Sequence, residues 1–260
     1  MNSALTVWRQ RLALRVGPHF HYGWLTLAVT FLVLLAAAGT RATPGVLMLP
    51  LEHQFGWSRS TISLAISINI ALYGLTGPFS AAAMQRFGVR PTVLGALAAL
   101  AAGVALSALM QSPTQMILIW GVLVGSSTGV LAMTLSATIV GRWFVKHRGL
   151  AMGILTASTA TGQLVFLPML AAVVEHFGWR MVVLIVAGAA LLIWPLVLFL
   201  MPESPAQMQL RPIGAHPDAP LTDPAPSGNP ITIAFSTLFQ AARRRDFWLL
   251  FFSFFICGAS

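Results

Sequence analysis

Arg41 is the residue whose surroundings in the sequence most demand a chemical role. From Trp24 to Thr40 the chain holds only apolar or small residues without charge, and apolar character resumes after Arg41 through Leu51. A stretch of this length crosses a bilayer as one helix, because a hydrocarbon core of about 30 Å takes roughly 20 residues at 1.5 Å each. An arginine inside hydrocarbon costs about 2.5–3.5 kcal/mol on insertion scales, so it is retained where it faces a water-filled cavity or an opposite charge. The chemistry it offers there is capture of an anion, through a fork of donors that matches a carboxylate. A second reading sets Arg41 near the membrane surface, with its head snorkelling to the headgroups.

Other polar residues fall at helical spacing. Asn69, Tyr73, Thr76 and Ser80 are 4, 3 and 4 apart and share one stripe, which is expected to line a cavity. Ser63, Ser67, Gly74, Gly77 and Ala81 form a second, small-residue stripe suited to close packing. Thr156, Thr159 and Gln163 make a further polar stripe ending near Pro168, although such hydroxyls often bond their own backbone. Arg41, Asn69, Tyr73 and Gln163 are therefore the candidate substrate-binding residues. No Asp or Glu lies inside any complete apolar stretch, and Glu52 and Glu175 sit at outer helix ends. A proton relay normally needs an intramembrane carboxylate, so the visible site is cationic and favours an anionic substrate. Cys257 is the single cysteine and the six histidines lack ligand spacing, which leaves no metal site and no thiol nucleophile. With no paired carboxylates either, neither an enzyme nor a cofactor is expected.

These residues must be positioned by membrane helices. Hydrophobic residues make up 57% of the 260 and charged residues only 8%, with a mean hydropathy of +0.81, where a soluble domain carries about 25% charged. Spans are predicted at 22–48, 60–84, 91–111, 114–140, 149–174 and 180–201, with a seventh starting near Phe247. Ala36-Ala37-Ala38 resembles a signal-cleavage site, but the long tail before Tyr22 and the continuation beyond Arg41 argue for a retained helix. Gly121, Gly125 and Gly129 in span four, and Gly149, Gly153 and Ala157 in span five, form small-xxx-small faces for helix packing.

The net charge of +9 reports topology here and not nucleic-acid binding. Twelve basic residues alternate onto one side: Arg9, Arg11 and Arg15; Arg86 and Arg90; Arg142, Lys146 and Arg148; Arg211 and Arg243 to Arg245. The other side has Arg59 and Arg180. The positive-inside rule puts the N-terminus in the cytoplasm. Trp24, Trp143 and Trp248 are expected at the inner interface, Trp57 and Trp179 at the outer one. The outer loops Glu52 to Arg59 and Glu175 to Arg180 are near-copies, each with a glycine stop, a tryptophan anchor and an arginine. Residues 202–230 are rich in proline, including Pro202, Pro205, Pro212, Pro217, Pro220, Pro224, Pro226 and Pro230, and read as a flexible linker. Ile231 to Arg245 then reads as an amphipathic helix on the membrane surface.

Tyr22-Gly23-Trp24, Phe55-Gly56-Trp57-Ser58-Arg59, Trp143-Phe144, Lys146 to Gly153, Gly162-Gln163 and Phe177-Gly178-Trp179-Arg180 carry a resemblance that covers almost the whole chain. The chain resembles the N-terminal half of a major facilitator superfamily transporter, of the oxalate/formate antiporter and monocarboxylate transporter branch. That likeness implies twelve spans, alternating access, and a site between two six-helix halves built from inverted three-helix repeats. It also marks Gln85, Arg86, Gly88 and Arg90 as a gating loop. There Ala81 replaces the family's first glycine, Gln85 its latch aspartate and Val89 one basic residue, and Gly121 stands where an arginine is common in span four. Arg41 lies about where the branch carries a basic residue in its first helix that meets the substrate carboxylate.

The resulting expectation is an all-α membrane protein: the six-helix N-terminal half of this fold plus the start of a seventh helix. It divides into a cytoplasmic tail at 1–21, a bundle at 22–201, a linker with its amphipathic helix at 202–245 and an incomplete seventh span at 246–260. It would move small organic anions, such as mono- or dicarboxylates, across the plasma (inner) membrane. Its partners would be the lipid bilayer, the anion, and a C-terminal six-helix half or a second copy, with no nucleic acid. An exporter of amphiphilic or drug-like compounds and a transport-inactive membrane fragment are the alternatives.

Overall fold

The computed structural model describes residues 8–10, 20–216, 230–249 and 252–253. Arg11, Arg15, Cys257, Pro217, Pro220, Pro224, Pro226 and most of the expected seventh span lie outside them. Among the described residues six helices are long and apolar enough to cross a membrane: α1 (Tyr22–Phe55), α2 (Arg59–Phe87), α3 (Val89–Ser107), α4 (Pro113–Trp143), α5 (Arg148–Phe177) and α6 (Trp179–Leu200). A shorter helix, α7 (Pro230–Ala242), follows. No strand occurs among the described residues, and the fold is all-α.

Each helix begins and ends where its local chemistry permits. The imidazole Nδ1 of His21 accepts the Gly23 N–H at 3.0 Å and caps α1. The helix runs past Pro44 and Pro50 and stops at Gly56, whose φ of 65° lies in the left-handed region that glycine enters without penalty. The predicted end at 48 is therefore seven residues short, because a proline removes one ladder bond without ending a well-packed helix. Ser58 caps α2, and Ser112 with Gln115 forms a capping box at the start of α4.

Span four is not the uniform helix its hydropathy suggests. Ile117–Val124 is π-helical, and the chain breaks from helical geometry at Leu131 and Ala132 before resuming at Met133. α1 packs on α5 and α6, α3 on α6, and α2 on α4. α1 is the most enclosed helix, while α2 and α5 keep large apolar side chains such as Ile70, Leu75, Leu164 and Leu167 exposed.

The two glycine faces differ. Those of α4 seat on α2: a Cβ added at Gly125 would lie 2.8 Å from the Asn69 Cα, one at Gly121 3.2 Å from the Ala65 carbonyl oxygen, and one at Gly129 2.7 Å from the Tyr73 carbonyl oxygen. Gly149 and Gly153 have open space instead, so the stripe read in span five is no packing face. The close α1–α5 contact is made by Gly39 against the Phe166 ring and Gly162 against Ala38.

Interfacial expectations need a similar correction. Trp57, Trp143 and Trp179 are buried among the helix ends, with Trp57 stacked on Phe55 and the Trp179 indole donating to Gln54 Oε1 at 2.5 Å. Residues 202–216, read as flexible, lie against the bundle: Ser204 and Met208 are buried, and Ile213 forms an isolated bridge opposite Phe144, donating to the Trp143 carbonyl and accepting from the Val145 and Lys146 N–H groups.

Candidate functional site

Arg41 and Tyr73 meet. Tyr73 is fourteen residues from either end of the 29-residue α2, or about 21 Å at 1.5 Å per residue. The Arg41 guanidinium carbon sits 4.5 Å from the centre of the Tyr73 ring, and Nη1 donates to the phenolic oxygen at 3.2 Å. The cation is therefore held at the mid-depth of α2 and does not reach along its helix to headgroup level. Its side chain stays exposed, and among the described residues it has no acidic partner. An exposed guanidinium on an aromatic face gains about 0.5–1 kcal/mol, which offsets part of the insertion penalty of the charge. The donors that Tyr73 does not use remain available to an anion.

The stripe containing Tyr73 does not line a cavity as a whole. Asn69 donates its side-chain amide to the Trp120 carbonyl at 2.7 Å, within the π-helical stretch of α4, and Ser80 donates to the Val130 carbonyl at 3.2 Å. Thr76 bonds its own helix at the Leu72 carbonyl. The glycines of α4 bring its backbone onto this stripe, so Asn69 and Ser80 join α2 to α4. Of the small stripe expected to pack, Ser63, Ser67 and Gly74 are exposed, while Gly77 and Ala81 are half-buried and a Cβ at Gly77 would lie 3.6 Å from the Thr134 hydroxyl of α4. Gln163 is exposed on α5, one residue beyond the Gly162 contact with α1, and no hydrogen bond joins it to Arg41.

The basic end of the bundle, where Arg86, Arg90 and Arg142 lie, holds a second cluster. Gln85 and Arg86 are exposed, with the Arg86 guanidinium 5.5 Å from the Phe87 ring centre. Gly88, at φ 95°, turns the chain between α2 and α3, and a Cβ there would fall 2.5 Å from a carboxylate oxygen of Glu203. That carboxylate accepts the backbone N–H of Arg90 at 3.2 Å and lies 3.6 Å from its Nε, while Arg142 donates to the Glu203 carbonyl at 3.0 Å. Glu203 follows α6 and is the acid that meets Arg90 at this turn. Sequence reading passed over it because it lies in a proline-rich segment read as linker. Arg9 is buried alongside and donates to the carbonyls of Leu198 and Phe199 at the end of α6, where burial lowers its pKa, with repulsion from Arg90 adding to the effect.

Comparison with known proteins places this architecture. The model of the Major Facilitator Superfamily matches residues 29–260. "Uncharacterized MFS-type transporter YcxA" of Bacillus subtilis (strain 168) is 31% identical over 196 residues, 74% of this chain and 47% of that protein. "Monocarboxylate transporter 14" of Mus musculus is 26% identical over 232 residues, 87% of this chain and 45% of that protein. "Monocarboxylate transporter 3" of Mus musculus is 32% identical over 167 residues, 63% of this chain. The chain spans about half the length, or less, of these relatives. The solved structure of the proton:xylose symporter XylE shares the fold, with a TM-score of 0.62 at 18% identity over 72% of this chain and 46% of that one. The chain is a multi-pass membrane protein and belongs to the major facilitator superfamily.

Proposed function

We propose that the chain forms the N-terminal half of a secondary transporter that moves small organic anions, such as mono- or dicarboxylates, by alternating access. The observation that carries this reading is the exposed Arg41 guanidinium on Tyr73 at the mid-depth of α2. A cation fixed at that level gives a carboxylate a charged partner where lipid and water supply none. The names of the monocarboxylate transporter relatives support the same substrate class. Gln163 on the neighbouring α5 adds a polar wall, whereas Asn69 contributes by fixing α4 and not by touching substrate.

A second six-helix half, in the same polypeptide or in a second copy, completes the cavity. Gln85, Arg86, Gly88 and Arg90, with Glu203, act as the latch at the basic end. The excess of basic residues there orients the N-terminus to the cytoplasm in the plasma (inner) membrane. Substrate moves unaltered, without a cofactor or catalytic residue.

Counterflow of radiolabelled mono- and dicarboxylates into proteoliposomes tests the reading. Arg41→Gln is expected to abolish exchange while leaving membrane insertion intact. Undiminished exchange by that variant removes Arg41 from the site, and exchange of neutral amphiphiles in place of carboxylates overturns the substrate class.

A further inference from the structure

Away from Arg41, α2 and α3 flank a groove of about 570 Å³ with α4 as its floor. That volume falls within the roughly 300–1,000 Å³ of small-ligand pockets. Its polar lining is silent. Thr76 donates to the Leu72 carbonyl at 2.8 Å, Thr92 to that of Gly88 at 2.7 Å, Ser126 to that of Val122 at 2.7 Å and Ser127 to that of Leu123 at 2.7 Å. With every hydroxyl hydrogen given to its own helix, the surface offered is methyl, methylene and the ring of Phe87. Such a surface has little to recognise in a sugar or a carboxylate, and it suits a hydrocarbon chain.

The mouth of the groove adds a charge. Phe87 and Thr92 place that end beside the α2–α3 turn, where Arg86 stands exposed over the Phe87 ring. Among the described residues Arg86 has no acidic partner, its neighbour Gln85 is neutral, and Glu203 is engaged by Arg90. The 29 residues of α2 reach about 43 Å, more than the roughly 30 Å hydrocarbon core, so its last turn stands at headgroup level. An apolar slot that runs from hydrocarbon to a single free guanidinium matches one amphiphile in shape and charge.

We propose that this groove binds an acyl chain of an anionic glycerophospholipid, with the headgroup phosphate on Arg86. Gly95 gives the means to test it, because it lines the groove and a Cβ there meets no atom within 4 Å. Gly95→Leu therefore enters the slot from a position with room for its Cβ and within a helix that favours the larger residue. Ala99→Leu, on the same wall, is an independent variant should the first fail to fold.

The full chain is placed in phosphatidylcholine nanodiscs with a trace of phosphatidylglycerol carrying a diazirine on its acyl chain, irradiated, and mapped by peptide mass spectrometry. A matched phosphatidylcholine probe gives the headgroup comparison. Label is expected to concentrate on residues 83–99 and 126–130 and to be lost from them in Gly95→Leu or Ala99→Leu, while label elsewhere persists. Arg86→Gln is expected to lower the phosphatidylglycerol preference about fivefold, the factor that corresponds to the ~1 kcal/mol one basic residue contributes at an anionic surface. Label spread evenly over the outer helices and unchanged by the groove variants overturns the site. Equal labelling by both probes, insensitive to Arg86→Gln, overturns the anionic headgroup.

Discussion

The carboxylate of Glu203 spans the start of α3, accepting the Arg90 N–H at 3.2 Å with one oxygen and facing the Arg90 Nε at 3.6 Å with the other. Arg90 is only 8% exposed, so this acid is the charge that balances an enclosed guanidinium. It also ties the segment after α6 to the α2–α3 turn.

Glu203→Gln removes the carboxylate that faces this enclosed cation at 3.6 Å. The expected loss of stability is somewhat below the ~3–5 kcal/mol for breaking a fully buried pair, since the Glu203 side chain keeps 25% exposure. Thermal unfolding in detergent reads the loss, and an unchanged midpoint would show that the pair is idle.

Gly125→Ala tests the α2–α4 seam. The new methyl meets Asn69 backbone at 2.8–2.9 Å, and backbone cannot swing aside. Overpacking of this kind costs about 1–3 kcal/mol. Gly153→Ala, with open space around it, is expected to be neutral or mildly stabilising in the same unfolding measurement.

Tyr73 separates two contributions at Arg41. Tyr73→Phe keeps the ring under the guanidinium and removes the 3.2 Å hydrogen bond, which predicts a KM for carboxylate exchange raised about fivefold for ~1 kcal/mol. Tyr73→Leu removes the ring as well and is expected to raise KM further, by the additional ~0.5–1 kcal/mol of the cation–π contact. Equal effects of the two variants would assign the whole contribution to the hydroxyl.

His21 gives the basic end a dependence on pH. Its Nδ1 accepts from Gly23, so the ring is neutral with its proton on Nε2, which donates to the Arg211 carbonyl at 3.0 Å. Burial holds its pKa below the ordinary 6.5, with the Arg211 carbonyl opposing in part. The folded state then binds fewer protons than the unfolded one, so the stability His21 contributes is complete above about pH 6.5 and is lost as pH falls through the depressed value. In His21→Asn, which retains capping ability, the fall in unfolding temperature on acidification is expected to be shallower.

The six helices were legible because hydropathy and span length act on whole segments, and no local irregularity in α4 hides its 31 apolar-rich residues. Arg41 was legible for the same reason, as a charge where hydropathy forbids one. Its partner within the stripe, and which stripe of α2 is packed, were not. Helical spacing groups Asn69, Tyr73, Thr76 and Ser80 but does not say that the glycines of α4 bring a backbone against them. Glu203 was missed because its meaning comes from Arg90, 113 residues earlier in the chain, and a proline-rich segment carries no periodicity to report that encounter.

Arg9 and Tyr22 also set a clock. The Tyr22 hydroxyl donates to the Leu200 carbonyl, 178 residues later in the sequence, and Arg9 donates to Phe199 across 190. At about 5–20 residues per second of synthesis, those carbonyls follow by some 9–40 s. Until α6 is made, the Tyr22 hydroxyl and the Arg9 guanidinium lack these partners. The sixth helix is thus the one that fastens the first.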